Sequence, residues 1–174
     1  MCVAKLLRPD LYVRALEEVD LDWLAERGVK GVLVDVDNTL VPWKSREVSE
    51  AKKEWIARAK ERFGGVCLLS NTIFGKRLKY LGETLGLAYV SRWGLGRKPS
   101  SGGLRAALAI LGVEPSQAVM IGDQIFADVW AGKNGGVTTV LVDPEDPEKE
   151  FPSTRALRIF ERGLRRRWAK ELRG

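Results

Sequence analysis

The chain has 174 residues, 45% of them apolar, and a net charge of +6, which is enough for one domain whose core needs no disulfide or metal. It contains no histidine, so acid–base chemistry falls to carboxylates, hydroxyls, lysines or a bound metal. Cys2 and Cys67 form no CxxC pair, which argues against zinc or disulfides and favours the cytosol. The first ten residues lack the apolar core of a signal peptide, and no apolar run approaches the ~20 residues that span a bilayer.

The predicted elements alternate between strands and helices along the chain. A short helix around Asp20–Arg27 comes first, and the strands that follow are Gly31–Val36, Val66–Ser70, Leu87–Val90, Ala118–Ile121 and Thr138–Val142. Helices are predicted over about Ser49–Phe63, Lys76–Leu85, Ser101–Leu111 and Phe126–Lys133. This alternation predicts an α/β fold, a three-layer Rossmann-like parallel sheet with helices on both faces, in which ligands bind beyond the carboxyl ends of the strands.

The first of these strands ends in two aspartates, Asp35 and Asp37. Each carboxylate is costly at the end of a buried strand, and two carboxylates this close to each other repel. A cation between them is therefore favourable. One carboxylate can attack an electrophile while the other handles protons. The structural alternative is a strand that simply enters an Asp-Asn turn.

Further polar residues follow the other strands. Ser70 and Asn71 close the second, Lys98 stands before a helix, and Asp123 closes the fourth, with Asp128 just over one helical turn later. A phosphoryl group needs such a set, because it requires positive charge, oxygen ligands for Mg²⁺ and a nucleophile in line. Singly, each residue has an ordinary interpretation as a helix cap, a solvated lysine or a turn. The glycine-rich segment 92–98 lacks the GxGxxG spacing of a dinucleotide site.

As a set, these residues resemble the haloacid dehalogenase (HAD) superfamily of phosphatases. The run Asp35–Thr39 is similar to its first motif, DxDxT, and Ser70 and Lys98 are similar to the second and third. Gly122–Asp128 is similar to the fourth motif, GDQxxTD, although Ala127 stands in the usual threonine place. The resemblance implies a HAD-like core over about 31–143.

A closer resemblance covers nearly the whole chain. Arg8–Val13, Asp37–Trp43 and Gly122–Asp128 resemble the YqeG family of class IIIA phosphatases, whose relatives include mitochondrial and plastid phosphatidylglycerophosphate phosphatases. The resemblance implies that Asp35 attacks phosphorus to form an aspartyl-phosphate. It also implies that Asp37 protonates the leaving oxygen and then activates water.

The same resemblance implies the binding residues. The phosphoryl oxygens would be held by Ser70, Asn71 and Lys98. Mg²⁺ would be bound by the carboxylate of Asp35, the backbone carbonyl of Asp37, and Asp123. Two further residues, Thr39 and Asp128, would support the metal and its water shell.

Superfamily members often carry a cap domain, but the segments 39–70 and 70–98 are too short to hold one. We therefore expect no cap domain and an open site. An open site suits a bulky substrate, such as a lipid head group at a membrane surface or a protein.

The net charge lies at one end of the chain. Segment 154–174 carries eight basic and two acidic residues, so the rest of the chain is neutral. We predict a domain over 1–143, a proline-punctuated linker over 144–152, and a basic amphipathic helix over 153–174. Its apolar stripe comprises Leu157, Phe160, Leu164, Trp168 and Leu172.

Three interpretations of this helix stay open: contact with an anionic membrane, packing on the protein's own body, and RNA binding through the arginines 165–167. The favoured function is a Mg²⁺-dependent phosphomonoesterase acting on phosphatidylglycerophosphate, in the cytoplasm and at the inner face of the membrane. The alternatives are a phosphatase for a soluble sugar phosphate or nucleotide, and an RNA- or ribosome-associated protein; nucleic acid is the less favoured partner. The oligomeric state is undetermined by the sequence.

Overall fold

The computed structural model describes residues 7–72, 75–91, 97–149 and 152–172, with side chains outside 152–156. Cys2, Arg173 and most of the glycine-rich segment lie outside these ranges. The strands are β1 (Leu11–Tyr12), β2 (Gly31–Val34), β3 (Val66–Ser70), β4 (Ala88–Ser91), β5 (Ala118–Gly122) and β6 (Thr138–Leu141). The helices are α1 (Leu21–Glu26), α2 (Glu50–Phe63), α3 (Gly75–Leu85), α4 (Gly102–Leu111), α5 (Trp130–Gly135) and α6 (Pro152–Leu172).

The six strands of the described residues pair in parallel, in the order β1-β6-β5-β2-β3-β4. The chain runs outward from β2 through β3 to β4, then returns to the other side of β2 with β5. The strand order therefore reverses at β2, which is where parallel α/β sheets bind ligands. The predicted α/β class and parallel sheet are confirmed.

Side chains of β2 alternate between the two faces of the sheet, as the period of two requires. Val32 and Val34 belong to the core beneath α2, together with Trp55 and Ile56. Leu33 belongs to the opposite core, which is completed by Leu104 and other residues of α4. Because both faces are covered, the strands carry continuous apolar sequence, and polar groups are displaced to the strand ends.

The structure adds one strand that the sequence did not predict. β1 is only two residues long and joins the sheet edge through Leu11 opposite Val140 and Tyr12 opposite Leu141. The predicted helix over Phe126–Lys133 is a π-helical turn, Ile125–Val129, followed by α5. In the described chain, α2 alone links β2 to β3 and α3 alone links β3 to β4, so these connections form no cap domain.

α6 packs on the α/β body, so that interpretation of the basic segment holds for part of its surface. Trp168 is buried against Tyr12, Ile125 and Leu141. Leu164 and Leu172 of the predicted stripe also pack there, whereas Phe160 is 73% exposed, so only the later part of the stripe is covered. Among the described residues, no helix has the length and apolar character needed to cross a bilayer.

Candidate active site

The register of the sheet brings Asp35 and Asp123 together. Val34 pairs with Ile121 of β5, so Asp35 and Asp123 leave adjacent strands at nearly the same level. The Asp35 backbone N–H still donates to the Ile121 carbonyl, at 2.9 Å. Both side chains lie at the carboxyl edge of the sheet, and both are buried, with 5% and 0% exposure.

Lys98 is the cation at the centre of this edge. Its Nζ lies 2.5 Å from Oδ1 of Asp35 and 2.6 Å from Oδ1 of Asp128, and it donates to the Leu69 carbonyl at 2.9 Å. Burial alone lowers the pKa of the Lys98 ammonium, but the carboxylates of Asp128 and Asp35 outweigh it and raise the pKa above its ordinary value. Lys98 is therefore a buried positive charge and not the solvated lysine that the ordinary interpretation predicts.

Three carboxylates meet around that one ammonium. Ligand oxygens of Asp35, Asp123 and Asp128 all lie within 4.8 Å of one another. Burial raises the pKa of Asp35 well above its usual range, with Lys98 opposing the rise. Oδ2 of Asp35 is buried without a hydrogen-bond partner in the described part of the chain. An oxygen-only donor set with a buried orphan oxygen fits a hard divalent cation such as Mg²⁺.

Gly122 allows the third carboxylate to reach this cluster. A Cβ at position 122 would overlap the carboxyl carbon and Oδ2 of Asp128. Oδ2 of Asp128 instead accepts a hydrogen bond from the Gln124 N–H at 2.9 Å, and Oδ1 faces Lys98. Asp128 thus holds Lys98 and the loop after β5 together, although Ala127 departs from the superfamily motif.

Asp37 lies apart from the carboxylate cluster. Its Oδ1 lies 2.5 Å from Nη2 of Arg77 and accepts a longer bond from the Lys44 N–H at 3.3 Å. Arg77 is itself buried on α3 and also donates to the Ser45 carbonyl at 2.9 Å. Arg77 was not predicted as a site residue, because nothing in the pattern of α3 marks it as facing the site.

Ser70 and Asn71 follow β3 toward the same edge. Ser70 is buried, and its Oγ accepts a hydrogen bond from the Thr72 N–H at 3.1 Å. The Asn71 side chain uses both ends on the backbone of Lys98, donating to its carbonyl at 3.1 Å and accepting from its N–H at 2.8 Å. Asn71 therefore positions the lysine in this structure.

The loop after Asp35 is held from beneath. Asn38 adopts a left-handed φ of 64°, which asparagine tolerates better than most residues. The hydroxyl of Thr39 points to Oδ1 of Asp123 at 3.4 Å, and the Thr39 carbonyl accepts from Nζ of buried Lys52 at 3.0 Å. Lys52 also pairs with Glu145, at the start of the predicted linker. Lys52 was not predicted either, since lysines on a helix are usually solvated.

The C-terminal helix supplies another unpredicted partner. Nη2 of Arg158 pairs with Oδ2 of Asp123, and its Nη1 donates to the Asp123 carbonyl at 2.6 Å. The available signal was the spacing of Arg158, Glu161, Arg165 and Trp168, which places polar residues and a tryptophan on one helical face. Counting only apolar positions identified Leu164, Trp168 and Leu172, which pack on the body, but not the buried charged residues beside them.

Two family models match this chain in separate halves. One, described as HAD-hydrolase-like, matches residues 95–150, and the other, described as mitochondrial PGP phosphatase, matches residues 1–83. NagD from Escherichia coli K-12 shares the fold, with a TM-score of 0.55 at 14% identity over 71% of this chain and 93% of that chain. Fold, strand-end residues and family matches together define a phosphatase of the HAD superfamily.

The particular family follows from a closer relative. Probable phosphatase YqeG of Bacillus subtilis is 33% identical over 140 residues, covering 80% of this chain and 79% of the relative. The chain belongs to the YqeG family, which confirms the resemblance and the phosphatase class. Phosphatidylglycerophosphate phosphatase 1 of Arabidopsis thaliana is 28% identical over 171 residues, covering 94% of this chain. This chain spans 48% of that longer protein's length.

Proposed function

We propose that this phosphatase is a Mg²⁺-dependent phosphomonoester hydrolase that forms an aspartyl-phosphate on Asp35, and that its substrate is phosphatidylglycerophosphate. The observation that carries the chemistry is the orphan Oδ2 of Asp35, buried beside Lys98 and within reach of Asp123. A buried carboxylate oxygen with no donor is poorly stabilised by the protein alone. This oxygen is available either to attack phosphorus or to bind a cation.

The two aspartates of the first motif take different roles because their surroundings differ. A carboxylate oxygen of Asp35 attacks phosphorus as the bond to the leaving alcohol oxygen breaks, and Asp37 gives that oxygen its proton. Asp37 then takes a proton from water, which attacks phosphorus and breaks the bond to Asp35, releasing inorganic phosphate. Arg77 holds the Asp37 side chain away from the carboxylate cluster, and only the backbone carbonyl of Asp37 is assigned to the metal.

The phosphoryl group is held by residues from two segments, the end of β3 and the loop before α4. Ser70 offers its hydroxyl, Lys98 its charge, and Asn71 acts through its two bonds to the Lys98 backbone. Asp35, Asp123 and the Asp37 carbonyl would hold Mg²⁺, which would supply the positive charge that offsets the phosphoryl oxygens. Asp128 pairs with Lys98, and the Thr39 hydroxyl contacts Asp123.

The proposed lipid substrate rests on similarity and on the surface beside the site. The family model for residues 1–83 and the Arabidopsis relative are both described as phosphatidylglycerophosphate phosphatases. Next to Arg158, which touches Asp123, α6 exposes Ile159 at 64% and Phe160 at 73%. Large exposed apolar side chains flanked by the exposed Arg162 and Arg166 match an anionic lipid surface at the cytoplasmic face of a membrane.

The test is phosphate release from a panel of monoesters with Mg²⁺ and with a chelator. The panel contains phosphatidylglycerophosphate in vesicles and three soluble esters: glycerol 3-phosphate, a sugar phosphate and a nucleoside monophosphate. We expect turnover that stops on chelation and returns with Mg²⁺, with the lipid hydrolysed fastest. Full activity in the chelator contradicts the metal role, and faster turnover of a soluble ester replaces the lipid with that substrate class.

An RNA-binding role is the alternative from another class, because α6 carries exposed arginines. It would give salt-dependent RNA binding that is indifferent to Asp35→Asn, together with no turnover of any ester in the panel. The buried site and the family membership favour the enzyme.

A further inference from the structure

α6 enters the candidate active site with a charged face. Arg158 binds Asp123 twice, through the side-chain Oδ2 and through the main-chain carbonyl. Nη2 of Arg165 donates to the same carbonyl, and its Nη1 donates to the Val142 carbonyl at 3.1 Å. A residue assigned to the metal is thus attached to a helix that begins about thirty positions later in the chain.

Glu161 completes the attachment from the other side of the loop. Its Oε1 accepts from the backbone N–H of Ile125 at 2.8 Å and of Phe126 at 3.4 Å. Its Oε2 lies 3.1 Å from Nη1 of Arg158 and 3.5 Å from Nε of Arg165. The segment 123–126 is therefore held at its first carbonyl and at two later amides by one face of α6.

The charged residues of this face are buried. Arg158 is 7% exposed and Glu161 is 2% exposed, although arginine and glutamate are seldom buried unless paired. Burying charges carries a desolvation penalty that apolar residues at the same positions would avoid. What the charged set provides instead is directional contact with a carboxylate, a carbonyl and amides of one loop.

We propose that Arg158 is a positioning residue for Asp123, held in place by Glu161, so that α6 is part of the metal site. This inference rests on the proposed function, since it assigns Mg²⁺ to Asp123. The competing role is that of a displaceable cation, in which Arg158 occupies the place of the metal. Positioning is favoured because Arg158 contacts only one of the two carboxylate oxygens of Asp123, Oδ2. The other, Oδ1, accepts one long contact from the Thr39 hydroxyl at 3.4 Å and keeps an acceptor site for the metal. Partners that orient metal ligands commonly govern metal affinity.

The two roles predict opposite signs for one measurement, Mg²⁺ affinity by titration calorimetry of the full chain without substrate. Arg158→Met should weaken Mg²⁺ binding about tenfold or more if the arginine orients Asp123, although a nearby positive charge has been removed. A displaceable cation would give tighter binding instead. Arg158→Lys keeps the charge and loses the planar fork, so we expect weaker binding there as well. The matched control is Arg162→Met, which removes one exposed arginine from the same helix and should leave the affinity within about twofold.

Mn²⁺ binding followed by electron paramagnetic resonance gives a second readout that needs no turnover. If Arg158→Met fails to fold by circular dichroism, Arg158→Lys decides, because any change in that variant arises from geometry at constant charge. Unchanged or tighter Mg²⁺ binding in the folded variants overturns the inference. Failure of the parent protein to bind Mg²⁺ overturns the proposed function instead, so the two failures are distinguishable.

Discussion

The carboxylate cluster at the strand ends and the outer face of α6 hold charge in opposite ways. In the cluster, formed by Asp35, Asp123, Asp128 and Lys98, each charge is buried against a partner of opposite sign. On the outer face of α6, Arg162 and Arg166 are exposed and form no ion pair with any described residue. One region fixes geometry, and the other presents a field of a single sign.

This difference shows why net charge says little about which arginines do what. Arg158 and Arg165 belong by sequence to the basic segment, yet both bind the body at Asp123. Their removal would disturb the site, whereas removal of Arg162 or Arg166 should change only attraction to anionic surfaces. Buried pairs keep their strength in salt, and exposed charges lose theirs within a Debye length.

The largest effect should come from the cluster. Asp35→Asn removes the nucleophile while preserving size, so we expect kcat to fall at least about a thousandfold, a barrier change of ~4 kcal/mol. Circular dichroism should show an intact fold, since Lys98 keeps Asp128 as a partner. The control is Asp22→Asn, an exposed aspartate on α1 that should leave kcat unchanged. Activity within about tenfold of the parent would remove Asp35 from the nucleophile role.

The second effect tests how tightly the cluster is packed. Gly122→Ala places a Cβ on the Asp128 carboxylate, so we expect a loss of about 2 kcal/mol in the free energy of unfolding, as overpacking typically gives 1–3 kcal/mol. Urea unfolding measures the loss. Gly75→Ala at the start of α3 is the matched control, because its Cβ would meet nothing within 4 Å. Equal midpoints for the two variants would show that Asp128 is free to move aside.

The same contrast separates what the sequence could predict, at the strand ends, from what it could not, on the surrounding helices. Strands β2 to β6 were found because continuous apolar runs are a local signal, and Asp35, Ser70 and Asp123 stand directly at their ends. Because ligands bind beyond the carboxyl ends of parallel strands, the sequence also predicted that these residues lie in one site. The roles given to them stay predictions until turnover is measured.

The unpredicted partners came from surrounding elements. Arg77, Lys52 and Arg158 lie on helices, where the pattern of one helix cannot show which face meets a carboxylate on a distant segment. β1 was not predicted, because two residues show no periodicity and the strand pairs with β6, which is far away in the sequence. Tertiary packing, which local patterns do not encode, decided each of these contacts.

The third effect concerns the outer face of α6. Replacing Arg162 and Arg166 with Gln should weaken binding to anionic vesicles by up to about 2 kcal/mol at low salt, since each basic residue near such a surface contributes about 1 kcal/mol. Sedimentation with vesicles measures it. Arg165 is left intact here, because it binds the Asp123 and Val142 carbonyls.

A matched loss of charge elsewhere makes this result specific. Lys30→Gln with Arg58→Gln removes two exposed charges from other parts of the body and should change vesicle binding far less. The difference between the two double variants should vanish near 1 M salt, where the Debye length is about 3 Å. Equal binding by both at low salt would leave α6 as a packed structural helix without a lipid role.

The smallest effect lies within α6 itself and has the opposite sign to that at Gly122. Gly163 stands in the helix interior, and a Cβ there would meet nothing within 4 Å. Glycine costs about 1 kcal/mol relative to alanine in such a position, so Gly163→Ala should stabilise α6 by up to that amount. Hydrogen exchange should then slow about fivefold at α6 amides, if this helix opens separately from the sheet.

The control for Gly163→Ala is another glycine with open space but a different backbone. Gly112 ends α4 at a φ of 65°, so Gly112→Ala should destabilise by roughly 1 kcal/mol, although its Cβ also meets nothing. Together the two variants separate backbone conformation from steric room, which Gly122→Ala alone cannot do. Because neither glycine touches the carboxylate cluster, kcat at saturating Mg²⁺ should stay unchanged in both. Faster exchange in Gly163→Ala would mean that α6 requires the flexibility of glycine to keep Arg158 and Trp168 docked at once.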